Sequence, residues 1–173
     1  WITVENAIRV SKTTVPAKLL LENDYRQKSF DFMQNKLRIS SLVKSKKVTL
    51  ESGKTETLSD VDYARLAMGS LVYGVKLSEL AAAYEMFGNG GYYNEPVAYT
   101  KVTSADGKTI ILEKEARPVR VISEETASVM NKLLQRVVEG PSGTGRYAKL
   151  STHTVVGKTG TANDGKSQVF VGL

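Results

Sequence analysis

The chain has 173 residues, a formal net charge of +6, 41% hydrophobic residues, a single histidine and no cysteine. That length suits one domain or a piece of one, with enough apolar content for a core. The absence of cysteine excludes disulfides and thiolate metal sites, His153 alone argues against zinc, and no run of 18 apolar residues is there to span a membrane.

Basic residues gather mildly at both ends, and the only cluster is Lys44, Lys46 and Lys47. Nucleic-acid binding wants a denser stripe with aromatics interleaved, so that cluster reads as a solvated loop. A basic face also suits an anionic cell envelope. Trp1 begins within a helical pattern with Glu5 close behind, and no signal peptide is visible.

In chain order, residues 1–10 have helical spacing through Ile2, Ala7 and Ile8. Thr14 reads as an N-cap, with Pro16 in the first turn of a helix through Leu21. Residues 30–43 predict a short helix and turn, and the lysine-rich stretch 44–59 predicts an exposed loop. Residues 66–75, with Gly69 and Gly74, read as a tight buried connection. Ser78 is the expected cap of a helix through Phe87, with Leu80, Ala83, Tyr84 and Phe87 on one face. Asn89-Gly90-Gly91 stops it.

Two β runs follow, 97–103 and 109–113, joined around Asp106-Gly107, a hairpin signal. Ser123 is placed to cap the longest helix, with Glu124 and Glu125 in its first turn. Ala127, Met130, Leu133, Leu134, Val137 and Val138 form its apolar stripe. The helix should end near Gly140-Pro141, followed by a flexible loop, 140–145. Two closing strands, 152–161 and 168–173, flank Asn163-Asp164-Gly165. The pattern is α+β or α/β, with helices packed on an antiparallel sheet.

Gly-Lys-Thr occurs three times, at Gly53, Gly107 and Gly157. A phosphate-binding loop needs another glycine five positions earlier, where Val48, Val102 and Thr152 stand, so nucleotide binding is disfavoured. The third copy ends a β run as Lys158-Thr159-Gly160-Thr161. On a strand, Val156, Lys158 and Gly160 face one way and Thr159 and Thr161 the other. Lys158 supplies positive charge beside a reacting serine, and Thr161 offers a hydroxyl to a carboxylate. Gly160 admits a substrate backbone, and the strand edge can pair with an extended peptide.

Lys158-Thr159-Gly160-Thr161 follows a series of landmarks. They include Gly74-Val75, Leu80-Ala81-Ala82-Ala83-Tyr84, Phe87-Gly88-Asn89-Gly90-Gly91, Asp106-Gly107-Lys108, Val121-Ile122-Ser123 and Gly143-Thr144-Gly145. In this order the chain resembles the C-terminal portion of the transpeptidase domain of a class A (bifunctional) penicillin-binding protein, over nearly its whole length. The resemblance implies the α+β penicillin-binding/β-lactamase-like fold and acyl transfer through three motifs: Ser-x-x-Lys, Ser-x-Asn and Lys-Thr-Gly.

By order, the second motif falls at Ser11-Lys12-Thr13, just before Val15-Pro16-Ala17. Thr13 stands where the family has Asn and lacks its amide. The resemblance gives Ser11 and Lys158 catalytic roles, the first as proton relay. Thr13, Thr159, Gly160 and Thr161 are the implied substrate-binding residues. No metal or cofactor is expected.

The nucleophilic Ser-x-x-Lys is expected tens of residues before Ser11, where only ten precede it. The literal match Ser41-Leu42-Val43-Lys44 lies on the wrong side of Ser11, beside a polar loop, and reads as a decoy. Beyond 167–173 the family continues through a further strand pair and helix. Residues 1–173 are therefore expected to be a partial transpeptidase domain, inactive alone and paired with the remainder of the domain, on the same or a companion chain. The implied ligands are peptidoglycan stem peptides and β-lactams. The implied place is the extracytoplasmic face of the bacterial membrane, on a membrane-anchored parent. The alternatives are a non-catalytic peptidoglycan- or partner-binding homologue and, less well matched in motif spacing, a β-lactamase-type hydrolase. His153, without an acid in register, reads as a surface histidine.

Overall fold

A computed structural model describes residues 1–22, 24–162, 165 and 167–173. Helix α1 (Val4–Arg9) is capped by Thr3, whose hydroxyl accepts the Asn6 amide at 3.2 Å. Helix α2 (Thr14–Glu22) starts at the residue expected to cap it, which leaves Thr13 as the last residue outside. Pro16 falls in its first turn, where a missing N–H costs nothing. Helix α3 (Arg26–Asp31) runs into a π-helical turn, Phe32–Lys36. Phe30 is fully buried there.

Residues 44–59 are not a plain loop. They form an antiparallel hairpin, β1 (Lys46–Thr49) with β2 (Thr55–Leu58), pairing Val48 with Glu56. Lysine content suggested a loop, but Val48, Thr49, Thr55 and Thr57 are β-prone and a turn at Gly53 closes the ladder. Residues 66–75 are likewise corrected. Helix α4 (Tyr63–Met68) occupies their start, capped by the Asp62 carboxylate on the Arg65 amide at 2.9 Å and ended by Gly69 at φ 72°.

Helix α5 (Leu77–Gly88) begins one residue before Ser78, which is therefore inside its first turn rather than its cap. Its buried side is Glu79, Ala82, Ala83 and Met86, one step round from the expected stripe. These residues join Leu37, Ile39 and Tyr93 in the main core, with Phe32, Met33, Phe87 and Ile122 packed around it. Glu79 enters this core because the Ser40 hydroxyl donates to it at 2.6 Å and Lys76 lies at 3.6 Å.

Short strands β3 (Tyr92–Tyr93) and β6 (Val119–Arg120) pair, as do β4 (Lys101–Thr103) and β5 (Ile110–Glu113). The β4–β5 turn falls at Asp106-Gly107, as the sequence suggests. Helix α6 (Glu124–Glu139) is capped by Ser123 on the Thr126 amide at 3.2 Å. Ala127, Leu134, Val137 and Val138 of its stripe are buried.

The closing ladder pairs β7 (Gly157–Thr161) with β8 (Gln168–Gly172), Lys158 opposite Val171 and Thr159 opposite Phe170. Strand β7 starts later than expected, although Val156 still exchanges backbone bonds with Leu173. Of the turn assigned to Asn163-Asp164-Gly165, the first two residues lie outside the described residues. Among those described, the strands form four two-stranded antiparallel ladders. Helix α6 packs against β7 and α5 against β8, giving the helix-on-sheet layering of an α+β fold.

Candidate active site

Helix α6 is the shared support of the site. On one side it carries α1, through buried Ala7 and an Arg136–Glu5 ion pair of 2.9 Å. On another it carries β7. The ends of α1 and β7 are thereby held in register, although 147 residues separate the two side chains that meet there.

Ser11 stands just past the end of α1. Its amide bonds the Ile8 carbonyl at 3.2 Å, and the Lys12 amide bonds the Ala7 carbonyl at 2.7 Å. This is a Schellman ending, with Ser11 in the left-handed position that glycine ordinarily takes. Its φ is 57°. Holding a serine there costs about 1–2 kcal/mol. That strain aims the hydroxyl across the gap at Lys158 and is the kind retained at functional sites. Ser11→Gly is therefore expected to be more stable than Ser11→Ala by about 1 kcal/mol, since only glycine relieves the strain. Paired thermal melts check this, and equal melting temperatures would show that the turn carries no strain.

Lys158 donates to the Ser11 hydroxyl at 2.8 Å and to the Thr159 carbonyl at 2.9 Å, and lies 3.5 Å from the Thr159 hydroxyl. Burial pulls its pKa below the ordinary lysine value. The ion pairs among the described residues leave Lys158 out. Among the described residues this half-buried ammonium meets hydroxyls and a carbonyl and no carboxylate. The Thr159 carbonyl also marks the edge of β7 that no described strand pairs, since β8 takes the other side.

The expected alternation along β7 puts Lys158 and Thr159 on opposite faces. The length of the lysine side chain lets its ammonium curl over the strand edge to Thr159. The Thr159 hydroxyl donates to that of Thr144 at 2.7 Å. Thr144 lies in the stretch 140–145 expected to be a loop, and nothing local to Gly143-Thr144-Gly145 shows that it reaches β7.

Backbone hydrogen bonds tie that loop to its neighbours. The Gly143 amide bonds the Gly140 carbonyl at 3.0 Å, the Gly145 amide the Val137 carbonyl at 3.0 Å, and the Thr144 amide the Arg9 carbonyl at 3.2 Å. A Cβ at Gly143 would stand 2.2 Å from the Val137 carbonyl oxygen, so only glycine lets the loop press onto α6. Thr144 is thus pinned both to the end of α1 and to β7.

The other named residues are less engaged. Thr13 is exposed two residues after Ser11, and its hydroxyl makes no hydrogen bond among the described residues. Gly160 is half-buried, and a Cβ there would meet only Val169 Cγ1, at 3.0 Å. Thr161 is exposed at the end of β7. Ser41 donates its proton to the Gly74 carbonyl at 2.6 Å rather than to Lys44. His153 is exposed and, among the described residues, bonds only the adjacent Thr152 hydroxyl, at 2.8 Å. No cluster suited to holding a metal occurs among the described residues.

Comparison with known proteins places this geometry. The family described as "Penicillin binding protein transpeptidase domain" matches residues 1–170. Penicillin-binding protein 1A of Clostridium acetobutylicum is 42% identical over 119 residues, which cover 68% of this chain and 14% of that protein. Penicillin-binding protein 4 of Bacillus subtilis is 32% identical over 173 residues, covering 99% of this chain and 24% of the relative.

Among solved structures, penicillin-binding protein 1A of Haemophilus influenzae superposes with a TM-score of 0.71 at 17% identity, over 99% of this chain and 28% of that one. The D,D-transpeptidase domain of a peptidoglycan glycosyltransferase from Eggerthella lenta gives 0.65 at 20% identity, over 99% and 45%. The chain therefore spans about a seventh to a quarter of the two curated relatives and carries the α+β fold of the solved domains. With the match running over 1–170 and the site strand included in it, the chain belongs to the penicillin-binding protein transpeptidase domain family.

Proposed function

We propose that this chain forms one wall of the acyl-transfer cleft of a peptidoglycan D,D-transpeptidase that is also acylated by β-lactams. The observation that carries the reading is the 2.8 Å contact between the Lys158 ammonium and the Ser11 hydroxyl. A serine whose oxygen accepts from a fixed cation, with its own proton left free to pass on, is what a relay to a leaving amine requires.

In this reading the nucleophile is the serine of a Ser-x-x-Lys segment that this chain does not contain. Its oxygen attacks the carbonyl carbon of a D-Ala-D-Ala peptide bond. The C–N bond breaks, leaving an ester on that serine, and the nucleophile's proton passes to Ser11 as Ser11 gives its own to the departing D-Ala amine. An amine of a second strand then attacks the ester carbonyl carbon, the C–O bond to the nucleophilic serine breaks, and the amine's proton returns by way of Ser11 to that serine's oxygen as the cross-link forms. Lys158 lowers the cost of negative charge at Ser11 during these transfers. Thr159 and Thr161 meet the substrate carboxylate. Gly160 and the free edge of β7 accept the peptide backbone, and Thr13 lines the cleft.

The partners in this proposal are the stem peptide, β-lactams and the remaining part of the domain, with no nucleic acid. Residues 1–173 are then a partial domain lacking the Ser-x-x-Lys segment and the last strand and helix. The match to proteins named penicillin-binding protein 1A supports a class A parent, held by a membrane anchor at the extracytoplasmic face of a bacterial membrane. Among the described residues no helix is long and apolar enough to cross a membrane, so the anchor is sought elsewhere in the parent.

Fluorescent penicillin tests the reading. The full-length gene product is expected to take up covalent label, while this chain alone takes none. An unlabelled full-length product would instead favour a peptidoglycan-binding homologue without turnover, the reading that Thr13 in place of Asn favours.

A further inference from the structure

We infer that the cleft between the β3–β6 and β4–β5 ladders is a docking groove for a strand-like segment of a partner protein that carries lysine or arginine at alternate positions. None of the residues lining the cleft belongs to the acyl-transfer site. One ladder stops at Tyr93 opposite Val119, and the other at the bond from the Lys114 amide to the Thr100 carbonyl. These are the two ends of one long hairpin, and its middle is open. Among the described residues, 94–99 on one side and 115–118 on the other make no backbone-to-backbone hydrogen bonds. A cleft of about 1100 Å³ opens there, lined by both segments and by Ala81 and Ala82 of α5.

Unpaired backbone beside a sheet is a template for another strand. Pro96 and Pro118 lack a donor, but their neighbours keep theirs. A segment laid in the cleft would gain main-chain bonds from the walls and apolar contact with Val97 and Val119. Without it those two side chains are 45% and 46% exposed.

Charge selects the occupant. Arg38 and Lys114 line the cleft, and both pair with Glu95, at 3.2 and 3.7 Å. Only Arg117 remains among the lining cations, against the carboxylates of Glu85, Glu113 and Glu115. Glu85 accepts from the side chains of Asn89 and Asn94. Glu113 and Glu115 are exposed and enter no ion pair or side-chain hydrogen bond among the described residues. The cleft therefore has spare negative charge on a chain of net charge +6. The two glutamates stand two positions apart, the repeat at which side chains of an extended partner return to one face. Basic residues at alternate positions match that repeat.

The test measures binding of a fluorescein-labelled synthetic peptide, Thr-Val-Lys-Val-Lys-Val-Thr, to the full-length gene product by fluorescence anisotropy at physiological ionic strength. Two control peptides have the same length. One has glutamate for both lysines, and the other is N-methylated at alternate residues and cannot complete a ladder. Both are expected to bind at least about 10-fold more weakly. The double variant Glu113→Lys, Glu115→Lys should weaken the basic peptide about 10- to 100-fold and favour the acidic one. Both side chains are exposed, so its melting temperature should stay within about 2 °C of the unmodified protein. The control peptides read the unmodified protein and do not depend on that.

Equal binding of the acidic or the N-methylated peptide would overturn the inference, as would a folded double variant that binds the basic peptide undiminished. Absence of binding by all three peptides would overturn it too. Self-association of the full-length protein that the double variant abolishes would make the cleft an interface between copies and equally overturn it. Penicillin labelling reads the transpeptidase proposal separately, so the two can fail independently.

Discussion

Replacing Lys158 with alanine is expected to lower the rate of penicillin acylation of the full-length protein about 100- to 1,000-fold, the usual cost of removing a preorganised charge from a site of charge development. The ammonium joins the relay hydroxyl of Ser11 to the edge of β7 through bonds of 2.8 and 2.9 Å, and among the described residues no second cation is bonded to Ser11. Arginine should rescue only in part. It keeps the charge, but its planar fork cannot point at the Ser11 hydroxyl and the Thr159 carbonyl as a compact ammonium does.

The pH profile carries a further signature of Lys158. Burial lowers its pKa below the ordinary 10.5, so the group loses its proton earlier on the alkaline side than a surface lysine would. Acylation should therefore decline as pH rises through that lowered value. The contribution of Lys158 to stability should move the other way. Between the lowered folded pKa and the unfolded one, the unfolded chain binds the extra proton, so folding becomes more favourable as pH rises through this window. An alkaline decline in acylation that accompanies a gain in stability cannot be unfolding. A Lys158→Ala variant that acylates within 3-fold of the unmodified protein would remove the residue from the mechanism.

What could be read from the sequence follows the range of the interactions involved. Lys158-Thr159-Gly160-Thr161 was legible because a strand motif, its hairpin partner and its turn are local. The cap of α6 and the hairpin turn at Asp106-Gly107 depend likewise on a few neighbouring residues. Ser11 was legible through its place in the family's order of motifs, but its left-handed backbone was not, since nothing marks a serine as the substitute for a helix-ending glycine. The lysines of 44–59 hid a hairpin because charge was weighed above β propensity, and two glycines hid α4 between Asp62 and Gly69. Thr144 could not be assigned to the site, because its bond to Thr159 spans 15 residues and depends on glycines that bring the loop against α6.

Asp60 was equally invisible in the sequence, and its replacement should have the largest effect on stability. It is fully buried. One carboxylate oxygen accepts the Val43 amide and the other the Val72 amide, both at 2.8 Å, and its own amide bonds the Val43 carbonyl at 2.6 Å. A single side chain thus closes the base of the β1–β2 hairpin and ties it to the segment leading into α5. Leu42 and Val75, close to these two attachment points, pack on the main core.

Asp60→Ala would leave two backbone N–H groups without acceptors in a space closed to water. Each such orphan costs about 1–3 kcal/mol, so a loss of about 2–5 kcal/mol is expected. In a chain of this length that lowers the melting temperature by roughly 5–15 °C. Asp60→Asn should recover only part of it. One oxygen remains to accept, but the amide nitrogen now points a donor at a donor. Protease sensitivity should rise first at residues 44–59, because the hairpin loses its anchor while α6 and β7 keep theirs. A melting temperature unchanged within 2 °C for Asp60→Ala would mean that water or a shifted backbone satisfies both amides, and that the hairpin is held by its own ladder.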